Sequence, residues 1–292
     1  MKHYLFVLAI IAGTTCSIHT RLTLAKESVT GLFAKDNLVA WCIVPFDSEK
    51  RGPAERAKML RRLGISKVAY DWREQHVATF EEEIIQYKKH DLEYFAFWSW
   101  HPAMGPLIRK YDIHPQIWIT NPSPTGKSQQ DRVEAAVQSL QSLVDKARQL
   151  NLKLGLYNHG GWGGEPANLV AVCKSLRDRH PMGQIGIIYN FHHGHEHIDD
   201  FPSAFAMMLP YLFCVNINGM ADPATVAAGT DKILPIGTGI YEKKMLRSMQ
   251  TSGYHGPVGI LDHRITVDAE QSLHENLNGL QSIVASLNSI AE

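Results

Sequence analysis

Apolar and polar positions follow two rhythms along this chain. Short, almost unbroken apolar runs lie near 38–45 (LVAWCIVP), 67–72 (KVAYDW), 93–99 (EYFAFWS) and 116–120 (QIWIT). They continue near 153–159 (KLGLYNH), 185–190 (IGIIYN), 212–218 (LFCVNIN) and 257–262 (PVGILD). Runs that do not alternate predict strands covered on both faces. Between them the apolar positions recur at helical spacing. Pro53 opens one such stretch and Gly64 stands just past its end, the usual asymmetry of a helix. The stretch 129–150 places Val133, Val137, Leu140, Val144 and Ala147 on one stripe. The stretch 269–288 does the same with Leu273, Leu277, Leu280, Val284 and Leu287.

Strands that alternate with helices predict a parallel sheet. Eight such units in about 250 residues match an α/β (β/α)8 TIM barrel, here one domain over 26–292. An open doubly wound sheet is the alternative, but no GxGxxG follows the first strand. The polar stretch 121–128 (NPSPTGKS) is expected to lie over a barrel mouth.

Composition narrows the function. The 292 residues carry 29 Lys+Arg against 29 Asp+Glu, so the basic excess that nucleic acid requires is missing. No apolar run approaches the ~20 residues of a membrane-spanning helix. The first segment has a cationic start at Lys2, an apolar run over 4–12, no acidic residue in 1–25, and Thr23-Leu24-Ala25 at its end. This is the pattern of a cleaved signal peptide over 1–25, which sends the mature protein to the periplasm or outside the cell. A lipoprotein anchored at Cys16 is the variant reading. Three cysteines then remain, Cys42, Cys173 and Cys214, an odd set in apolar surroundings. Buried thiols are expected, not a disulfide framework.

In a barrel of this kind the C-terminal strand ends share one mouth. Those ends carry Asp71 and Arg73; Trp98 and Trp100; Asn158 and His159; Asn190 and His193; Asn216 and Asn218; Asp262 and His263. Amides and acids hydrogen-bond hydroxyl groups, and indole faces cover the C–H face of a sugar ring, so a small-molecule carbohydrate is the expected partner. His159, His193 and His263 titrate near neutral pH, and together with Asp71 they are the candidate catalytic groups. Arg73, Trp98, Trp100, Asn158, Asn190, Asn216, Asn218 and Asp262 are the candidate substrate contacts. The tract Tyr189-Asn-Phe-His-His-Gly-His-Glu-His197 is rich in histidine, yet it holds no HExxH. Metal binding and a plain loop lining both remain open for it.

These strand ends, the turn Ile236-Gly-Thr-Gly239, the segment Gly253-Tyr-His-Gly-Pro-Val-Gly-Ile260, Trp41-Cys-Ile-Val-Pro-Phe-Asp47 and the NFHHGH run resemble the xylose isomerase-like TIM barrel superfamily over residues 36–290. The resemblance implies sugar isomerase or epimerase chemistry, with a divalent cation held by a Glu, an Asp, a His and a Glu after the fifth to eighth strands. Here those positions are Tyr157, Asn190, Asn216 and Leu261, with Asp262 one place beyond the last. A one-residue step on a strand turns the side chain to the other face. A metal, if bound, would fall to His159, Asn190, His193 and His263. The resemblance thus implies an atypical sugar isomerase- or epimerase-like enzyme. It would act on a neutral or keto-sugar by proton abstraction next to a carbonyl, ending in isomerisation, epimerisation or elimination. The alternative is a carbohydrate-binding barrel without catalysis. A barrel glycosidase would need carboxylates where Thr120-Asn121 and Asn216 stand, and an endonuclease IV would need an acidic metal cluster and a basic face.

Overall fold

The computed structural model describes residues 31–224 and 232–289. The expected leader over 1–25 and Cys16 lie outside the described residues. The chain forms a closed barrel of eight parallel strands, each followed by a helix. In order these are β1 (Leu38–Trp41), α1 (Pro53–Leu63), β2 (Lys67–Asp71), α2 (Phe80–Lys89), β3 (Glu93–Trp98), α3 (Met104–Tyr111), β4 (Gln116–Thr120) and α4 (Gln129–Gln149). The second half adds β5 (Leu154–Tyr157), α5 (Pro166–Arg179), β6 (Ile185–Asn190), α6 (Phe201–Met208) and β7 (Leu212–Ile217). After a small antiparallel pair, β8 (Gly219–Met220) with β9 (Ile233–Leu234), come α7 (Glu242–Thr251), β10 (Val258–Leu261) and α8 (Ala269–Asn288). Strand β10 closes the barrel against β1 and β7.

Each expected strand run contains its strand, and the helix signals hold. Gly64 ends α1 in the left-handed conformation, and Ser128 caps α4 by accepting from the Asp131 N–H at 3.1 Å. In α8 the buried stripe drifts, with Ile283 buried and Val284 only half-buried. Over five turns a 3.6-residue helix departs from a fixed apolar register.

Two apolar cores result. The larger lies between sheet and helices, and the smaller fills the barrel itself. Inside the barrel, Val39, Ala69, Ala96, Trp118, Ile188 and Cys214 occupy the inward positions beneath Trp41, Tyr157 and Leu261. Gly155 is inward too, and a side chain there would collide with Ile188. Its missing Cβ lets the large neighbours fill the axis, so the lower part of the barrel is packed solid.

The mouth loops are tied down by charge. Asp47 accepts from the Glu49, Arg51 and Ala269 N–H groups and from Arg51 Nη1 at 2.8 Å, and Arg51 also pairs with Asp268. This knot fixes the loop after β1 to the start of α8. Beyond β5 and β6, His197 stands between Glu165 at 2.9 Å and Asp200 at 3.1 Å. Glu242, fully buried, accepts from the backbone N–H groups of Met220, Gly237 and Gly239 and holds the β8–β9 excursion in place. No helix among the described residues is long and apolar enough to cross a membrane.

Candidate functional site

A cavity of about 280 Å³ opens at the C-terminal end of the barrel. Its floor is made by Trp41, Tyr157, Asn190 and Leu261, the last inward residues of β1, β5, β6 and β10. Trp41 Nε1 donates to the Tyr157 hydroxyl at 3.2 Å, and Asn190 Nδ2 donates to the same oxygen. Trp41 and Trp98 meet edge to face with centroids 6.0 Å apart, and Trp98 meets Tyr157 at 4.8 Å.

Above this floor the rim is a chain of touching rings. Trp98 lies nearly parallel to His159 at 6.0 Å, His159 meets His193 at 4.4 Å, and His193 meets His192 at 4.3 Å. His192 then faces His263 at 5.4 Å, His263 lies on Phe46 at 3.9 Å, and the Arg73 guanidinium stands 5.6 Å over Phe46. Asp71, in register beside Trp98, brings the circuit back to its start.

Local structure explains the histidines. Asn190 ends β6, and its Oδ1 accepts from the His192 N–H at 3.0 Å, which starts a tight turn over Phe191–His193. Phe191 packs outward on Phe201 while His192 and His193 face the cavity. Gly194 follows because the turn passes directly over the Tyr189 hydroxyl, where a Cβ would not fit. His195 and His197 leave the cavity, His195 toward the His192 carbonyl and His197 into its carboxylate clamp.

The titrating groups are perturbed in directions set by burial. Burial pushes Asp71 up to about 7, against the pull of Arg73 and of the Val44 N–H that its Oδ1 accepts at 3.3 Å. Its Oδ2 is buried with no hydrogen-bond partner of good geometry among the described residues, and the Cys42 thiol lies beside the carboxyl. Burial and the neighbouring imidazoles lower His192 to about 2 and His193 to about 3. His263 is lowered as well, chiefly by burial. These three rings are neutral at pH 7, each with one N–H to donate. Burial and the adjacent Asp71 raise the Cys42 thiol, which stays protonated at the cavity wall.

Of the residues expected at the site, Asp71, Arg73, Trp98, His159, Asn190, His193 and His263 line the cavity. Five do not. Trp100 lies against Gly105 on the helix side, because β3 ends at Trp98 and strand parity stops there. Asn158 points away from the mouth, accepting from the Asn190 N–H at 2.7 Å and donating to its carbonyl at 3.0 Å, a brace between β5 and β6. Asn216 is inward but lies below the cavity against Gly259. Asn218, past the end of β7, turns onto the Gly219 carbonyl at 2.8 Å. Asp262 faces outward and accepts from Ser272 Oγ at 2.6 Å. The polar stretch 121–128 packs on the neighbouring loop, where Asn121 donates to the Gly163 carbonyl, and does not line the cavity.

In the sequence Trp41, Cys42 and Phe46 stand only within a segment of family resemblance, Cys42 also as a buried thiol, His192 as one histidine of the tract at the sixth strand end, and Tyr157 and Leu261 only as replaced metal ligands. The first apolar run reads as one strand through Pro45. The strand in fact stops at Trp41, where Cys42 adopts a left-handed conformation (φ 60°) and turns the chain. A cysteine at positive φ leaves no mark in a hydropathy pattern. His192 was within reach, since it sits inside the NFHHGH run.

The residues at the four ligand positions do not fit a hard divalent cation, which asks for several anionic oxygens. Leu261 offers no donor atom, and the Tyr157 oxygen already accepts two hydrogen bonds. Asn216 is fully buried and does not line the cavity, and Asn190 is committed to Tyr157 and His192. Among the described residues no group of three or more His, Cys, Asp or Glu side chains has a geometry that would hold a metal ion.

The model of the xylose isomerase-like TIM barrel family matches residues 105–283, more than half of the chain. Comparison with curated proteins gives no match. Among solved structures, the probable 3-DHS dehydratase AsbF from Bacillus anthracis is similar at TM-score 0.63 and 14% identity, covering 84% of this chain and 98% of that one. The 3-keto-D-glucoside 4-epimerase YcjR from E. coli is similar at TM-score 0.59 and 14% identity, covering 85% and 99%. A D-psicose 3-epimerase is similar at TM-score 0.57 and 13% identity, covering 84% and 97%. Identities this low speak for the shared barrel.

Proposed function

Because the chain belongs to the xylose isomerase-like TIM barrel family, we propose that its cavity takes a single keto-sugar and moves a proton next to the carbonyl. The observation that carries this reading is the Asp71 carboxyl: buried, with no well-aligned partner for Oδ2 among the described residues, facing a cavity walled by neutral imidazoles. A group that titrates at about 7 is half ionised at neutral pH, the balance a general base needs. Two of the similar folds are named as epimerases and one as a dehydratase, which supports this class of chemistry.

In this reading the sugar ring or chain lies along Trp98 with its carbonyl toward the histidines. The Asp71 carboxylate accepts the proton from the carbon beside the carbonyl. The electron pair of that C–H bond becomes the double bond of an enediol, and negative charge grows on the former carbonyl oxygen. His159, His193 and His263 line the cavity there; an imidazole N–H stabilises the oxygen by hydrogen bonding, and the neutral His193 and His263 can hand it a proton. Return of the proton on the other face of the carbon gives an epimer, and return on the neighbouring carbon gives an isomer. Loss of a hydroxide from the β-carbon gives an elimination product. Export of the mature chain would place this chemistry on sugars outside the cytoplasm.

The test is solvent-deuterium incorporation, followed by NMR, with a panel of keto-sugars in D2O. Exchange should occur at the carbon beside the carbonyl, survive a chelator, and slow by ~100-fold or more in Asp71→Asn. Inhibition by the chelator would overturn the metal-free assignment. Sugars that quench tryptophan fluorescence but never exchange would instead establish the carbohydrate-binding barrel without catalysis.

A further inference from the structure

We propose that the ligand of this cavity carries a carboxylate, bound by the Arg73 guanidinium at the mouth, so that the substrate class is a sugar acid. The proposal rests on the reading of the cavity as a sugar site and narrows it.

The charges at the mouth are unequally neutralised. Arg51 pairs with Asp47 and Asp268, Arg56 with Glu83, Arg62 with Glu270 and Arg264 with Glu275. These arginines serve the loops and the helices. Arg73 is the exception among those around the mouth. It lines the cavity, and no carboxylate among the described residues lies within ion-pair distance of it. One Nη1 hydrogen donates to the Trp72 carbonyl at 2.8 Å, which fixes the side chain and leaves the rest of the fork open.

Phe46 supports the arrangement from below. The guanidinium stands 5.6 Å over its ring, which favours a cation there and shields one face from water. Asp71, the one acidic group lining the cavity among the described residues, is buried, with Oδ1 turned to the Val44 N–H. It does not neutralise Arg73 in a contact pair. A second cation, Lys232, is near enough to His192, His193 and His195 to disfavour their protonation. The mouth is therefore positive, while the walls below offer neutral N–H groups and ring faces.

A planar fork with free N–H groups matches a carboxylate in two parallel hydrogen bonds. A phosphate dianion is commonly cradled by several backbone N–H groups or by clustered cations. Among the described residues the cavity lining includes one arginine and no glycine. In a volume of about 280 Å³ a monosaccharide carboxylate fits with its acid end at Arg73 and its reacting carbons beside Asp71.

The experiment is calorimetric titration of the full-length protein with a hexuronate, the matching neutral hexose and the matching hexose phosphate. The hexuronate should bind at least ~10-fold tighter than the hexose, and added salt should narrow the gap. Arg73→Gln should abolish the preference and Arg73→Lys should restore part of it, each with an unchanged melting temperature because Arg73 is exposed. Equal affinity for acid and neutral sugar, a preference that survives Arg73→Gln, or tighter binding of the phosphate would each overturn the proposal. An Arg73-dependent preference without deuterium exchange would uphold it while removing the reaction. If none of the three sugars binds, the sugar-site reading falls and this proposal falls with it.

Discussion

Asp71 and Asp262 are near twins that the barrel treats differently. Both end an apolar run beside the mouth, both are buried, and burial pushes both up to about 7. Each keeps an oxygen without a hydrogen-bond partner of good geometry among the described residues. Asp71 stands at an inward position of β2 and lines the cavity. Asp262 stands one step past the inward Leu261 and faces α8, held by Ser272. The perturbed titration is common to both, so it does not by itself mark a catalytic group. What separates them is the parity of one residue on a strand, which decides whether the carboxyl meets a ligand or a helix.

The sharpest way to break this comparison is to neutralise each acid in turn. Asp71→Asn should slow proton exchange by ~100-fold or more, the scale of a lost general base. Asp262→Asn should leave the rate within a few-fold. Equal losses in both variants, measured by the same NMR assay, would dissolve the distinction.

A smaller effect is expected in the pH profile. Exchange should rise with pH through about 7 as Asp71 ionises, and Asp262→Asn should preserve that rise. In Asp71→Asn the residual rate should lose it. A rise near 7 that persists without Asp71 would assign it to another group.

Stability should treat the two acids alike. A carboxyl that titrates at about 7 when folded and at ~4 when unfolded binds more protons in the folded state across that window. Folding is then favoured at the lower pH, and stability is lost as pH rises from about 4 to about 7. Each Asn variant should remove part of that decline, so melting temperatures recorded from pH 4 to 8 should fall less steeply in both. A steeper fall in either variant would contradict the burial effect. Smallest of all, Ser272→Ala should cost ~1–3 kcal/mol through the lost hydrogen bond to Asp262. Denaturant titration should show that loss, with exchange unchanged.

The barrel was legible because its strands are apolar on both faces and its helices are amphipathic, which are periodic features of the sequence. The cavity was legible only where a strand end coincided with a side chain of the right parity. Asp71, Trp98, Asn190 and His193 met that condition. Trp100 and Asn218 failed it because their strands end before them, and hydropathy does not locate an end to within one residue. Asp262 was recognised as one step out of phase, and the structure shows the outward turn that follows. Phe46 and Trp41 received no site role from the sequence because an aromatic that supports a ligand and one that fills a core look the same there. The chain of rings around the mouth comes from five separate strand ends, and such convergence is a property of the closed sheet.

The packed interior beneath Tyr157 and Leu261 has a consequence for traffic. With Trp118 and Ile188 plugging the axis, the cavity formed by the described residues opens at the mouth alone, past its imidazoles and the Arg73 guanidinium. On the proposed chemistry, a product formed at the bottom would back out past the groups that admitted its precursor. Departing and arriving molecules would then compete for one threshold, and accumulated product would limit its own formation.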